Sequence, residues 1–533
     1  TIGVMVHLRI FVFISDLFGI YNQFPFFPAD AWCRAVYHVS DLQHEVVEVV
    51  RFSSVELEAD HAAVVFYQLV HQGGVCPLAV EPFIADDNQD IGFIRTFVEL
   101  LHSDPKAGPA AESSVCRLQL LGITCFGGKE IKILYWLEQG ECTDEQNGEV
   151  VNDALYDRDR TVEDRLGVKL ANLPRSYTWD SRMEYIDAIR QSVMAGDDSF
   201  DLVSGQYATM PTLIPDGVLL ALNDTKYIDF SNPWWARGLV EETAINGKVY
   251  LASGEISISN IKELSCFFYN KRLADEYSIE DPYKLVESGE WTLDKLFELS
   301  GNVYSDLDND GKKSIGDLYG ISFSTDNNFP PLVTGAGIQN TTQTKDGYPE
   351  LTLGSEKMID VMSKITKFVH SSEGSLSSVD ITVDNGDAVK GAFANGLTLF
   401  ASGLISDAAT KYNDMKDDFG VLPVPKYDKN QDSYLTLINE GNTLFGITTS
   451  TKDIDAASAT MEALCEENHY TVSPAYFEVA LKVKYSRDDE SAKMFDLIRE
   501  GVAFDFGRLY SGATGVNLAV QIKDAITKDN SWS

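Results

Sequence analysis

The sequence predicts an α/β protein: alternating strands and helices from residue 129 to the end, behind an N-terminal extension (residues 1–128) of uncertain fold. Three observations carry this. An apolar run at 129–136, Lys-Glu-Ile-Lys-Ile-Leu-Tyr-Trp, is followed by helical sequence and a second strand at 168–173, the order of a parallel β-α-β unit. The unit then repeats, because helical spacing at 179–195 leads into a short apolar strand at 200–204. Composition also changes at the boundary: residues 1–128 hold one lysine, Lys106, yet six of the eight histidines and four of the seven cysteines.

Taken in order, the first strand is followed by Asn147-Gly148-Glu149-Val150 and by a capped helical segment at 161–166. In the next helix Met183, Ile186, Ile189 and Val193 recur on one face, and Gly196 ends it as a C-cap. Parallel units of this kind bind ligands at the carboxyl ends of their strands, so the loop Ser204-Gly205-Gln206-Tyr207 is placed to touch a ligand. Ile245-Asn246-Gly247-Lys248-Val249-Tyr250 reads as a hairpin, with Asn-Gly supplying two left-handed positions between strand formers. Helices are expected at 271–277, 291–300, 356–370, 454–467 and 491–501, with strands at 419–425, closed by two prolines, and at 434–438. Residues 371–387 form a Ser/Asp-rich loop.

A length of 533 residues with 44% hydrophobic composition supports a large core and two to four domains at roughly 150 residues each. The net charge of −38 argues against nucleic acid and anionic lipid, both of which require clustered Lys and Arg. Seven scattered cysteines with no C-x-x-C indicate neither a disulfide framework nor zinc. Residues 8–28 are apolar but interrupted by Asp16, and they lack the flanks of a secretory signal, so no intact signal peptide is read here. Leu118-Gln119-Leu120-Leu121 followed by Gly122-Ile123-Thr124-Cys125 partly matches a lipoprotein signal, without the small pair before the cysteine. Residues 1–128 read either as a small domain with buried elements at 46–50 and 62–70 or as a segment foreign to the body.

An ordered series of motifs then carries a resemblance. Ser204-Gly205-Gln206-Tyr207, Asn232-Pro233-Trp234-Trp235, the Asn246-Gly247 hairpin, Phe268-Tyr269-Asn270-Lys271-Arg272-Leu273 and Gly289-Glu290-Trp291-Thr292-Leu293-Asp294 follow one another, with Ala392-Phe393-Ala394-Asn395-Gly396, Ser473-Pro474-Ala475-Tyr476 and Tyr485-Ser486-Arg487-Asp488 further on. Their order resembles that of family 1 extracellular solute-binding proteins, the maltodextrin-binding-like receptors of ABC importers, over residues 129–533. The likeness implies a two-lobed, type II periplasmic-binding-protein-like clamshell. One lobe is expected from 129–253 with 402–445, the other from 254–400 with 446–533. It implies capture of a carbohydrate, an oligosaccharide foremost, and delivery to an ABC permease by an extracellular monomer anchored as a lipoprotein of a Gram-positive bacterium. The other readings are a secreted carbohydrate-active enzyme and a same-fold receptor for a peptide or other small solute. The chain is expected to cross between lobes at 251–258, with Gly254 as hinge, and again at 399–403, around Phe400.

Sugar rings stack on aromatic faces while polar side chains bond their hydroxyls, which makes Tyr207, Trp234, Trp235, Phe400 and Tyr476 the aromatic candidates and Glu440, in Asn439-Glu440-Gly441-Asn442, the polar one. Core packing is the alternative for each ring. Residues 306–317 match a calcium loop, with Asp306, Asp308, Asp310 and Asp317 at positions one, three, five and twelve, Gly311 at six and Lys312 at seven. Asp317 reaches less far than the usual glutamate, and the branched apolar residue, Ile315, stands at position ten. A solvated acidic turn is the alternative. No H-E-x-x-H, G-x-S-x-G or phosphate loop occurs, so no catalytic residue and no organic cofactor is expected.

Overall fold

The computed structural model describes residues 34–37, 48–51, 67–71, 74–78, 125–323, 329–344, 348–377, 386–477, 489–529 and 532. The chain divides into two compact units, Thr1–Gly127 and Gly128–Ser533. In the first, β1 (Arg34–Tyr37) pairs antiparallel with β2 (Glu48–Arg51), and β3 (Tyr67–His71) with β4 (Gly74–Leu78). The apolar stretches at 46–50 and 62–70 overlap β2 and β3. The stretches read at 8–28 and 118–124 and the motif Tyr485-Ser486-Arg487-Asp488 lie outside the described residues.

The second unit opens with β5 (Lys129–Trp136), which pairs in parallel with β6 (Val168–Arg175) along its whole length and with β7 (Leu202–Gln206). Between β5 and β6 runs one helix, α1 (Val150–Leu166), in place of the shorter segment expected at 161–166. Its start escapes the usual signals because the cap is Glu149, whose carboxylate accepts from the amides of Val151 and Asn152. Gly167, left-handed at φ 58°, ends it. Helix α2 (Arg182–Ala195) begins three residues after Trp179, since residues 178–181 are held in a turn by reciprocal bonds between Thr178 and Ser181. The Asn246-Gly247 hairpin forms as read, with both residues at positive φ and Ile245 and Lys248 exchanging amide bonds.

The chain then crosses to a second sheet through residues 253–264, a segment that includes the short helix α3 (Ser259–Lys262). In that sheet β8 (Ser265–Asn270) lies between two strands that run antiparallel to it, β14 (Thr398–Leu404) and β15 (Phe419–Leu422). Beyond β14 come β10 (Leu318–Phe323) and β13 (Ser375–Ser377), with β9 (Tyr304–Ser305) pairing on β10. A hairpin of β11 (Thr341–Gln343) and β12 (Pro349–Leu351) lies apart from it. The return crossing is at 436–443. Ile438 bridges Leu264 on the outgoing segment, and β17 (Thr443–Ile447) pairs antiparallel with β7 in the first sheet. Helix α4 (Ile454–Tyr470) packs on α1, and α5 (Asp489–Glu500) packs on β15. β16 (Thr436–Leu437) and β18 (Val502–Ala503) pair in parallel beside the crossings.

The two-lobed α/β architecture is therefore present, with two of its expected boundaries moved. Phe400 and its neighbours are not a crossing: β14 is an interior strand of the second sheet. Residues 402–422 accordingly belong to the second lobe, whereas β17 and α4 return to the first. One apolar cluster fills the first lobe, continues through Ile258, Ile261, Leu264 and Ile438, and covers one face of the second sheet through Cys266 and Phe268. Phe267 and Tyr269, alternating with them along β8, face a second cluster on the other side.

Candidate functional site

The carboxyl ends of β5 and β7 meet the crossings. Beyond β5 and the 3-10 turn that follows it (Leu137–Gln139), buried Glu141 accepts from the Ser257 hydroxyl (2.5 Å) and the Ile258 amide (2.9 Å) of the outgoing crossing. After β7, the Tyr207 amide donates to the Asn442 carbonyl of the return crossing (2.7 Å), and Asn442 Oδ1 accepts from Ser259 Oγ (3.2 Å). Tyr207 itself is buried, and its hydroxyl donates to the Asp505 carbonyl at 3.4 Å. The Asp505 carboxylate accepts from the amides of Asn340 (2.6 Å) and Thr341 (3.1 Å) in the second lobe and caps the turn at Arg508 (2.9 Å). Asp505 thus ties the floor of the first lobe to the second.

Around this junction buried polar atoms stand without hydrogen-bond partners among the described residues: Gln206 Oε1, Asn340 Oδ1, Glu440 Oε1, Asn442 Nδ2, Thr443 Oγ1 and Arg508 Nε. They include acceptors and donors, one carboxylate and one guanidinium. Burial pushes the Tyr207 phenol well above its ordinary value; the Arg508 charge pulls it down, and the Asp505 and Glu440 carboxylates push it further up, so each of these groups lies within electrostatic reach of Tyr207. Glu263 adds a carboxyl on the outgoing crossing, pushed up to about 7 by burial and by Asp407, against the opposing charges of Lys390 and Lys262. It packs against Gly441, where an added Cβ would lie 2.8 Å from its oxygen.

The aromatic candidates fare differently. Trp234 and Trp235 are buried and donate through both indole nitrogens to one carboxylate, Glu462 on α4, each at 2.9 Å. Asn232 Nδ2 (2.8 Å) and the Asp229 amide (3.2 Å) complete its four donors. Burial raises Glu462 even so. Both rings are therefore fixed inside the first lobe. Phe400 is fully buried against Trp291 and Tyr269 in the second core, on an interior strand of the second sheet and not on a crossing. Tyr476 is buried near the crossings, with the Lys262 ammonium 5.8 Å from its ring centre. Gly254 enters the first crossing at φ 147°, bridging Trp235; a Cβ there would lie 2.4 Å from the Trp234 carbonyl. Of the expected set, Tyr207 and Glu440 come together. Arg508, Asn340 and Asp505 join them with no motif to announce them.

In the second lobe the loop 306–317 winds tightly. The Asp306 carboxylate accepts from the amides of Asn309 (2.7 Å) and Gly311 (2.8 Å), with Asn309 and Gly311 both left-handed. Fully buried Asp317 accepts from Leu307 (3.0 Å) and Ser314 (2.8 Å). Carboxylate oxygens of Asp306, Asp308 and Asp317 converge within 4.8 Å of one another. Asp310 is not in that group and instead accepts from the Lys312 amide at 2.7 Å. Hydrogen bonds, that from Gly311 foremost, hold Asp306 below the usual carboxylate range.

No helix of the described residues is long and apolar enough to cross a membrane. No curated protein matches the chain. Solved structures similar to it include an ABC substrate-binding protein of Listeria monocytogenes in complex with cycloalternan (15% identity, 76% of this chain and 95% of that one, TM-score 0.48). Others are a maltose-binding periplasmic protein of the same organism in complex with maltose (15%, 76% and 97%, 0.47) and a cyclic alpha-maltosyl-1,6-maltose binding protein of Arthrobacter globiformis (15%, 75% and 97%, 0.48). The family profile of bacterial extracellular solute-binding proteins matches residues 180–471, a span that runs from the loop before α2, through all of the second sheet, to the end of α4. The chain belongs to that family.

Proposed function

We propose that the solute is a carbohydrate, an oligosaccharide foremost, held between the lobes at the junction of Gln206, Glu440, Asn442 and Arg508 and delivered to an ABC permease. The observation that supports this most is that unpartnered buried donors and acceptors stand on the residues that flank Tyr207 and Asp505, where both lobes meet the crossings. Each such group costs about 1–3 kcal/mol if left unmet. A sugar hydroxyl donates and accepts at once, so a polyol answers a mixed set better than an ion of either sign. Binding by lobe closure, with no covalent chemistry, is the corresponding mechanism: ligand contacts to both lobes favour the closed arrangement over the open one. In the same reading the chain works outside the cell as a monomer and, as its motif order suggests, as a lipoprotein of a Gram-positive bacterium. Metabolic labelling of the native host with a palmitate analogue tests the anchor; an unlabelled protein would contradict it.

A thermal-shift screen of the chain against plant and host oligosaccharides tests the main reading. A ligand at 100 times its Kd stabilises by about 2.7 kcal/mol, a readily visible shift. Small-angle scattering of the same complex should give a smaller radius of gyration than the free chain. Shifts with peptides alone, or turnover of a glycan, would overturn it. We also propose a structural calcium ion in the loop 306–317, supported by the convergence of the Asp306, Asp308 and Asp317 carboxylates, with Asp310 and Lys312 as the further ligands that the loop spacing assigns.

A further inference from the structure

Trp179 is the large apolar side chain that the sequence pattern assigned to a helix and the structure leaves in a loop. It is 48% exposed, between β6 and α2 at the carboxyl edge of the first sheet, and Leu137, just after β5, and Met183, in the first turn of α2, are exposed with it. Its ring is nevertheless held. The Arg182 guanidinium lies 4.2 Å from the ring centre and donates to the Trp179 carbonyl at 2.6 Å. Thr178 and Ser181 close the turn around it, and Ser176 bonds the Glu138 carboxylate, tying the loop after β6 to the one after β5. An indole fixed on one side by a cation, at the strand ends where α/β proteins take their ligands, is a stacking surface for the apolar face of a sugar.

The sheet order β17-β7-β5-β6 sets its distance from the polar junction. Gln206 and Asn442 lie at the β7 and β17 end, whereas Trp179 follows β6, two to three strand spacings away, or roughly 10–14 Å at about 4.8 Å per strand. A single sugar ring is about as wide as one strand spacing and reaches one group or the other. We infer that Trp179 forms a second carbohydrate position on the rim of the first lobe, so that the ligand is an oligosaccharide whose successive rings run along the strand ends from Gln206 to Trp179. This inference rests on the carbohydrate reading above.

Isothermal titration of the full chain with gluco-, manno-, xylo- and galacto-oligosaccharide series of increasing length separates the two claims. In the series that binds, wild type should gain about tenfold or more in affinity from the monosaccharide to the longer members. Trp179→Ala should lose that gain while keeping the wild-type melting temperature and the monosaccharide affinity, and Trp179→Phe should restore most of it. Affinity independent of length in wild type, or an alanine variant that binds the longest member as tightly as wild type, overturns the second position and leaves the carbohydrate reading intact. No binding to any series overturns both.

Discussion

Removing the Glu462 carboxylate should unfold the first lobe long before it alters what the protein recognises. Four donors converge on this side chain, two of them indole N–H groups on residues that are 9% and 3% exposed. In Glu462→Ala the two indoles are left buried and unmet at about 1–3 kcal/mol each, while Asn232 and Asp229, nearer the surface, turn to water. The expected loss is therefore on the order of 2–6 kcal/mol, a large part of a typical folding free energy. Glu462→Gln keeps one acceptor oxygen and should fall between. Trp235→Ala should behave like the alanine variant, melting lower with unchanged solute affinity at temperatures where it stays folded. Urea denaturation followed by tryptophan emission measures the stabilities, and titration below the transition measures the affinities. A Glu462→Ala protein as stable as wild type, or a Trp235→Ala protein that melts normally but binds weakly, would refute the assignment of both rings to the core.

Other consequences follow from the crossings and the loops. Because Glu263 is raised from 4.5 to about 7, the stability it contributes is full below about pH 4.5 and is lost as pH rises through 7. Wild type should thus lose about 2–3 kcal/mol relative to Glu263→Gln between pH 5 and pH 8 in paired denaturation curves, and parallel curves would contradict this. Chelation should lower the melting temperature if calcium occupies 306–317, and Asp308→Ala should abolish the response; equal melting with and without chelator would leave an acidic turn. A chain starting at Lys129 keeps all of β5 and should unfold cooperatively and bind the same solute, whereas aggregation or lost binding would make residues 1–128 integral to it.

The sequence disclosed what depends on neighbours along the chain. The β5-α1-β6 unit, the Asn246-Gly247 hairpin and the tight loop at 306–317 each carry local signals of period, turn chemistry or spacing. It misplaced what depends on distant partners. An apolar strand after Gly396 reads the same whether it crosses between lobes or lies inside a sheet, and only its pairing with β8 and β10 decides. Trp234 and Trp235 look like sugar platforms until Glu462, more than two hundred residues on, takes their N–H groups. Arg508 belongs to no motif. It reaches the junction because Asp505 caps its turn, bonds the second lobe and receives the Tyr207 hydroxyl from the first.

Solute capture at that junction is tested most directly by isothermal titration of wild type and Glu440→Gln with the carbohydrate that gives the largest thermal shift. The Glu440 carboxylate has a buried oxygen with no partner among the described residues, so its contact with a hydroxyl is charge-assisted. Neutralising it should weaken binding by about 1.4 kcal/mol or more, a tenfold rise in Kd, with the melting temperature of the free protein unchanged. Equal affinity in the two proteins would place the solute elsewhere and contradict the account.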